Sequence, residues 1–243
     1  MQRLFAGTIA VVALVAGPAI AADMSAVKTK VPKEPPFIVY NWTGFYVGIE
    51  GGGGWSRVVQ TDARPFSSDT YNGTDGLIGG TLGFNAQFDR VVFGLEADWS
   101  GSWIKGYTIG TDPLSGNCGG APPRCFSNLQ SLATFRARAG VTMDNVLPYL
   151  TAGLAVGSLH GEVGDIAANG AFGAGTKTVV GWTAGFGVEA MFNQIWSLKV
   201  EYLYVDFGNR AIFNDSVAGV IFPENLRYTA NLLRAGLNYR FGY

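Results

Sequence analysis

A period-two alternation of side chains recurs in eight segments of this chain and constrains its fold more than any other feature. In the third segment, Val91, Phe93 and Leu95 alternate with Gly94 and Glu96. Because successive side chains of a β-strand point to opposite faces, each segment is predicted to be a strand with one apolar face. The eight segments are residues 42–56, 76–88, 91–103, 131–142, 147–158, 178–192, 195–206 and 227–241.

The composition excludes several other classes of protein. The 243 residues include 35 glycines, and only 14 % of them are charged although 48 % are hydrophobic. A disordered chain needs low hydrophobicity with high charge, and an interior glycine costs a helix about 1 kcal/mol. The formal net charge of −1 offers no basic excess for nucleic acid. The composition therefore favours strands and turns, and we expect no nucleic-acid partner.

The N-terminal segment has the composition of a secretory leader. Arg3 precedes a mostly apolar run at residues 4–15, and residues 19–21 (Ala-Ile-Ala) form a small-x-small cleavage site. We predict that residues 1–21 are a cleaved signal peptide; the alternative is a short uncleaved anchor. Residues 22–41 are rich in lysine and proline and are predicted to form an extended periplasmic linker.

Two cysteines, Cys118 and Cys125, lie in a predicted loop. An exported chain passes through an oxidising compartment, so we predict a disulfide between them. A metal site needs more ligands, and the single histidine, His160, is distant in sequence. We therefore expect neither a metal nor a cofactor.

The connections between the predicted strands alternate between tight turns and long loops. Three turns and four loops join eight strands, which places all the turns at one end together with both termini. Charges lie on the face opposite the apolar one, which is the reverse of a soluble sandwich. Lipid around the molecule explains this polarity, because only a closed barrel leaves no unpaired strand edge in lipid. The predicted loops include residues 60–75, 161–175 and 208–225 and the segment that holds the cysteines.

We therefore predict an all-β fold, an eight-stranded antiparallel up-and-down transmembrane β-barrel in the outer membrane. The barrel spans residues 42–243, with short periplasmic turns and four long extracellular loops. Aromatic residues cluster near both ends of the strands, as expected for interfacial girdles. They are Phe45, Phe88, Phe192, Trp196, Tyr239 and Phe241 near the turns, and Trp55, Trp99, Trp103 and Tyr204 near the loops.

Charged side chains are predicted to fill the barrel. An eight-stranded barrel is just wide enough for side chains to fill, and a buried charge without a partner is costly. We predict a network of salt bridges, with inward glycines making room for it; the alternative is a narrow charged pore for ions or small solutes. The inward charged residues are Glu50, Glu96, Asp98, Arg136, Arg138, Glu189, Lys199, Glu201, Arg234 and Arg240.

Ser158 and His160 are the best candidates for hydrolytic chemistry. They share a strand face, and Glu162 follows on that face if the strand extends. A Ser–His pair needs mutual reach and an orienting third group. A polar strand rim that enters a loop is the simpler interpretation, and we predict that the protein is not an enzyme.

Several strand motifs resemble those of the outer-membrane immunogenic proteins, which are small OmpA-like, porin-family β-barrels of Gram-negative bacteria. The motifs are residues 41–48 (NWTGFYVG), 92–98 (VFGLEAD), 147–149 (LPY) and 196–204 (WSLKVEYLY). The resemblance covers essentially the whole mature chain. It implies an abundant envelope protein and surface antigen with a role in outer-membrane integrity, and it leaves porin activity open.

The last strand resembles the signal that the barrel-assembly machinery reads during biogenesis. Arg234, Gly236, Tyr239 and Phe241 match its polar residue, glycine and alternating aromatics, and Tyr243 is an alternative terminal aromatic. Further expected partners are outer-membrane lipid and lipopolysaccharide. Some relatives are thought to be tied to peptidoglycan through a mature N-terminus like residues 22–23, so peptidoglycan attachment of the N-terminal segment is a further hypothesis.

Overall fold

A computed structural model describes residues 40–61, 70–109, 123–165, 170–217 and 220–241. The predicted signal peptide and all but the last two residues of the predicted linker lie outside the described residues, so both stay predictions. Cys118 and Tyr243 also lie outside them. Nowhere in the described ranges is there a helix with the length and apolarity that a membrane crossing requires.

Eight antiparallel strands close into one barrel, in which every strand pairs with its neighbours in sequence and β8 pairs with β1. The predicted fold class is therefore confirmed. The strands are β1 (Gly44–Thr61), β2 (Tyr71–Phe88), β3 (Val91–Ile109), β4 (Pro123–Val141), β5 (Val146–Asp165), β6 (Gly170–Met191), β7 (Trp196–Val217) and β8 (Val220–Phe241).

The strands continue well into the segments that were predicted to be loops. β5 ends at Asp165 and β6 begins at Gly170, while β7 reaches Val217 and β8 begins at Val220. This corrects the predicted loop bounds at 161–175 and 208–225. The period-two signal needs one apolar face, whereas backbone pairing continues without one, so the sequence pattern ends before the strands do.

The three short turns lie at the end of the barrel that also holds Gly44 and Phe241. Asp89 and Asp144 adopt positive φ angles of 54° and 55° in two of them, a conformation that aspartate tolerates in tight turns. In the third turn, Asn193 Oδ1 accepts the backbone N–H groups of Ile195 and Trp196 at 3.0 and 2.8 Å. By the common plan of single-chain outer-membrane barrels, this end faces the periplasm.

The two faces of each strand differ in exposure as the alternation predicts. Outward side chains such as Ile49, Leu150 and Phe186 are exposed although they are apolar, whereas the neighbouring inward positions are buried. An exposed apolar belt of this extent is unfavourable in water and favourable in lipid.

Candidate functional site: the filled barrel interior

The inward side chains form three layers along the barrel axis. The periplasmic layer contains Trp42, Val92, Leu147 and Met191. The charged layer follows above it and contains nine of the ten predicted charged residues. The extracellular layer is apolar and includes Leu129, Leu159, Leu203, Phe207 and Leu232.

Arg136 on β4 connects three carboxylates in the charged layer. Its Nη2 lies 2.5 Å from Glu96 Oε1 and 2.8 Å from Asp98 Oδ2, and its Nη1 lies 2.7 Å from Glu201 Oε2. All four side chains are buried. Arg136 therefore joins β3 to β7 across the lumen.

Arg234 on β8 joins the same network from another wall of the barrel. Its Nη1 lies 2.5 Å from Glu50 Oε1 and 3.0 Å from Asp98 Oδ1, and its Nη2 lies 2.7 Å from Glu201 Oε1. Asp98 and Glu201 are thus shared with Arg136. Shared carboxylates make one connected network, in which each of the two arginines contacts three carboxylates.

Lys199 and Arg138 complete the ion pairs. Lys199 Nζ lies 3.2 Å from Glu50 Oε2 and 3.0 Å from Glu96 Oε1. Arg138 Nη1 lies 2.9 Å from Glu189 Oε2 and 3.6 Å from Glu96 Oε2. Four cations and five carboxylates are therefore packed together out of contact with water.

Arg240 was grouped with these residues by its inward position, but the structure places it below them. It donates a hydrogen bond to the carbonyl oxygen of Trp42, and its guanidinium carbon lies 5.1 Å from the centroid of the Trp42 ring. Within the described ranges no carboxylate lies within 4.0 Å of it. The cause is its height on β8, because Arg240 pairs in register with Tyr46 whereas Gly236 pairs with Glu50.

Two tyrosines from opposite walls hold the guanidinium of Arg138. Its central carbon lies 4.8 Å from the ring centroid of Tyr46 on β1 and 5.1 Å from that of Tyr149 on β5. The Tyr46 hydroxyl donates to Glu96 Oε2 at 2.7 Å, and the Tyr149 hydroxyl donates to Glu201 Oε2 at 3.2 Å. The rings therefore combine cation–π contact with hydrogen bonds to the network.

Each of these rings has a glycine as its partner on the adjacent strand, Gly83 on β2 for Tyr46 and Gly187 on β6 for Tyr149. A Cβ atom added at Gly187 would lie 2.6 Å from the ring of Tyr149, and one added at Gly83 would overlap the ring of Tyr46. The sequence placed both tyrosines on the inward face but did not connect them to the charges. The one sequence signal that could have connected the tyrosines to the charges is that both occupy inward positions on their strands.

Neutral side chains on inward positions supply the remaining hydrogen bonds to the carboxylates. Ser197 Oγ donates to Glu189 Oε1 at 2.5 Å and Asn238 Nδ2 donates to the same oxygen at 3.0 Å. Thr134 Oγ1 donates to Asp98 Oδ2 at 2.5 Å. The charge-based prediction missed these residues, which can be found only by reading every inward position.

The extracellular layer departs from the expected polar interior. Leu203, Val205 and Phe207 on β7 point inward and are buried, although the same strand carries Tyr202 and Tyr204 on its outward face. Both faces of this part of the strand are therefore apolar. Packing of this layer fills the lumen above the charges, as expected for a barrel of eight strands.

Ser158 and His160 are not paired with each other. Ser158 Oγ donates to Gln130 Oε1 at 3.4 Å, and His160 Nδ1 lies 2.9 Å from Thr176 Oγ1. Each side chain is engaged with a different neighbouring strand. Glu162 does follow on β5, as the extended strand required.

The remaining predicted residues lie on β4 and β8 or outside the described residues. Cys125 is buried on β4, and its predicted partner Cys118 lies outside the described residues, so the disulfide stays a prediction. Gly236 lies on an inward position of β8, and the rings of Tyr239 and Phe241 point outward with centroids 5.0 Å apart. The glycine of the proposed assembly signal thus faces the lumen, and its two aromatic residues face the lipid.

A closed barrel with an apolar exterior and ion pairs inside defines an integral outer-membrane β-barrel protein. The family model described as "Outer membrane protein beta-barrel domain" matches residues 8–241, and the chain belongs to this family.

Curated relatives agree with this assignment. The "31 kDa outer-membrane immunogenic protein" of Brucella melitensis biotype 1 is 32 % identical over 243 residues, which cover 95 % of this chain and 97 % of the relative. The "22 kDa outer membrane protein" of Rhizobium leguminosarum bv. viciae is 31 % identical over 202 residues, or 83 % of this chain and 79 % of the relative. The resemblance to the outer-membrane immunogenic proteins and the outer-membrane location are confirmed.

Among solved structures, the outer membrane protein OprG from Pseudomonas aeruginosa is similar with a TM-score of 0.48 and 13 % identity. The match covers 84 % of this chain and 99 % of OprG.

Proposed function

We propose that this protein is a closed structural barrel that supports the integrity of the outer membrane and presents its extracellular end as a surface antigen. The observation that carries the proposal is the pair Arg136 and Arg234, which together bridge carboxylates on β1, β3 and β7 across the lumen.

Passage of ions through the charged layer would require separation of these pairs. Removing one partner of a buried ion pair costs about 3–5 kcal/mol, and every cation of the layer contacts at least two carboxylates. A permeating ion would also meet the apolar extracellular layer, including Leu203 and Phe207. The ion pairs and the apolar layer both favour a closed structural barrel over the alternative, a small porin.

The antigenic part of the proposal rests on the relatives. The Brucella proteins are named outer-membrane immunogenic proteins, and this chain aligns with them over most of its length. Its strands of up to 22 residues exceed the roughly ten residues that cross a bilayer. The surplus lies at the extracellular end, where it would be accessible to antibodies.

We also propose that the protein is not an enzyme. Ser158 and His160, the best catalytic candidates, are hydrogen-bonded to Gln130 and Thr176 rather than to each other. The relatives named above carry no enzymatic name.

Planar-bilayer recording of the purified barrel tests whether it is closed. We expect no stepwise conductance above background at any voltage, while a general porin reconstituted in the same lipid serves as the positive control. Discrete steps that scale with the amount of inserted protein would contradict the closed barrel and support the porin alternative.

A deletion strain tests the envelope role. Loss of the protein is expected to increase sensitivity to bile salts and detergents, and expression of the wild-type chain should restore resistance. Unchanged sensitivity of the deletion strain would contradict a role in envelope integrity, whatever the conductance measurement shows.

A further inference from the structure

Three basic side chains form an outward-facing patch near the extracellular end of the barrel. This rim patch consists of Arg57 on β1, Lys105 on β3 and Arg227 on β8, and all three residues are exposed. Each lies on the outward face, because Val58, Ile104 and Tyr228, next to them in sequence, are buried inside. A lipid-facing strand surface is an unusual place for charge, because a charged side chain at the bilayer midplane destabilises the barrel.

The strand geometry places the rim patch just outside the hydrocarbon. Ten residue steps separate Phe45 near the periplasmic turns from Trp55 on the same face, a length of about 33 Å along the strand. At a tilt of about 40° this is about 25 Å along the membrane normal, the height of the apolar band of such barrels. Arg57 follows Trp55 by two residues and therefore lies at headgroup level.

The same arrangement recurs on β3. Trp103 follows Phe93 by ten residues on the outward face, and Lys105 follows Trp103 by two. Each of these two cations thus lies two residues beyond an outward tryptophan, on its extracellular side. Tryptophan is favoured at the interface between hydrocarbon and headgroups, so both tryptophans mark the level from which the cations extend.

The three cations lie near one another across the β8–β1–β2–β3 surface. Arg57 is opposite Thr229, and Arg227 is two residues further along β8, opposite Val59. Such diagonal neighbours lie about 7–8 Å apart. On the other side of Arg57, Asn72 is its partner on β2. The register between β2 and β3, with Gly73 opposite Gly106, places Thr74 opposite Lys105. Neutral polar residues therefore fill the space between the cations.

Acidic side chains near the rim patch are engaged elsewhere. Asp75 Oδ1 accepts the backbone N–H of Gly76 at 2.8 Å, and Asp206 Oδ1 accepts that of Gly208 at 2.6 Å. For the part of the chain that the structure describes, no carboxylate lies within 4.0 Å of a patch cation. Within the described residues, the patch therefore presents three cations that form no direct ion pair with a carboxylate.

Other basic residues at this end of the barrel have protein acceptors. Lys177 Nζ donates to the carbonyl oxygen of Ala211 at 2.8 Å, and Arg210 Nη2 donates to that of Val180 at 2.9 Å. The side chains of the rim patch have no hydrogen-bond acceptor among the described residues. Among the basic side chains that the structure describes at this end, they are thus the ones available to a ligand outside the barrel.

We propose that the rim patch binds the phosphate groups on the sugar headgroup of lipopolysaccharide in the outer leaflet. Arginine pairs with phosphate through two parallel hydrogen bonds, and basic residues near an anionic leaflet are attracted to it. The patch faces sideways into the membrane rather than upward, so its ligand must be embedded beside the barrel. Its extracellular level selects the outer leaflet, whose phosphorylated lipid is lipopolysaccharide. This site does not depend on whether the lumen conducts.

Binding measurements on the purified barrel in detergent test the site. The wild type is compared with the triple variant Arg57→Gln, Lys105→Gln, Arg227→Gln, and titrated with lipopolysaccharide at low salt while tryptophan fluorescence is recorded. Lys177→Gln is the control, because Lys177 pairs in register with the buried Leu159 and so lies on the inner face of the rim. Heat-modifiable gel migration verifies that all variants are folded.

The triple variant is expected to bind at least about tenfold more weakly, since three favourable charges are removed, while Lys177→Gln keeps wild-type affinity. Enzymatically dephosphorylated lipopolysaccharide should bind the wild type as weakly as intact lipopolysaccharide binds the triple variant. Equal affinity of the wild type and the folded triple variant would overturn the proposal. Equally tight binding of phosphatidylglycerol would also overturn it, because any phospholipid phosphate would then suffice. Retention of wild-type affinity for the dephosphorylated lipid would assign binding to the acyl chains instead.

Discussion

Arg234 on β8 and Glu50 on β1 meet inside the seam where the barrel closes, with Nη1 2.5 Å from Oε1. The two residues are 184 positions apart in sequence. Their ion pair can form only after the first and last strands have paired, so it stabilises the closed barrel and none of the open sheets that precede it. The seam is therefore held by side chains within the lumen as well as by backbone hydrogen bonds.

Replacement of Arg234 tests how much the charged layer contributes to the stability of the barrel. Arg234→Met should lower the free energy of unfolding by about 3–5 kcal/mol, because Glu50, Asp98 and Glu201 each lose a buried partner. The measurement is the concentration of guanidinium chloride at the midpoint of unfolding of the barrel in detergent. Arg90→Met, in an exposed turn, is the matched control and should leave the midpoint unchanged. Equal midpoints for both variants would mean that the network adds no stability.

A second prediction concerns the space beside Tyr46. Gly83→Ala places a Cβ atom in the ring of Tyr46 and should displace it from Glu96 and Arg138, at a cost of about 1–3 kcal/mol. Gly80→Ala on the same strand has its closest neighbour, the carbonyl oxygen of Gly48, at 3.4 Å and should be tolerated. Unfolding midpoints of the two variants give the comparison. A Gly83→Ala barrel as stable as Gly80→Ala would show that the ring moves without loss.

The apolar extracellular layer supplies a third prediction. Phe207 is buried against Tyr228, with ring centroids 6.1 Å apart, so Phe207→Ala should destabilise the barrel by about 3–5 kcal/mol through the cavity it leaves. Phe186 is exposed on the lipid face, and Phe186→Ala should cost clearly less in the same chemical-unfolding assay. A larger loss for Phe186→Ala would mean that lipid-facing contacts dominate stability.

The predicted disulfide can be read directly from a tryptic digest. Arg124 lies between Cys118 and Cys125, so trypsin separates peptide 106–124 from peptide 125–136. If the disulfide forms, denatured protein digested without reductant yields the two peptides as one linked mass, which splits on reduction. Two separate alkylated peptides in the unreduced digest would exclude it.

Much of the barrel could be predicted because lipid imposes a simple rule on each strand. Where one face meets hydrocarbon, as at Val47, Ile49 and Phe93, alternation predicts both the strand and its orientation. Beyond the hydrocarbon the rule ceases, and β5 to β8 continue through residues that were assigned to loops. There, a residue belongs to a strand because it pairs with the backbone of the neighbouring strand. The side-chain pattern of one segment alone does not predict such pairing.

The candidate site, too, could be predicted from the sequence only in part. Inward parity identified the charged residues that form the network, and the matching numbers of acids and bases indicated that they would pair. The height of each residue inside the barrel could not be obtained in this way, because it depends on the stagger between strands. This stagger lowers Arg240 to Trp42 and raises Leu203 and Phe207 above the charges.

By itself, the sequence determined that the chain forms a closed barrel in the outer membrane, because eight alternating strands with charge on one face have one arrangement that satisfies every backbone group in lipid. The tertiary structure alone decided which charge meets which. Arg138 lies between Tyr46 and Tyr149, from strands on opposite walls, and such contacts across the lumen exist only once the register of all eight strands is set.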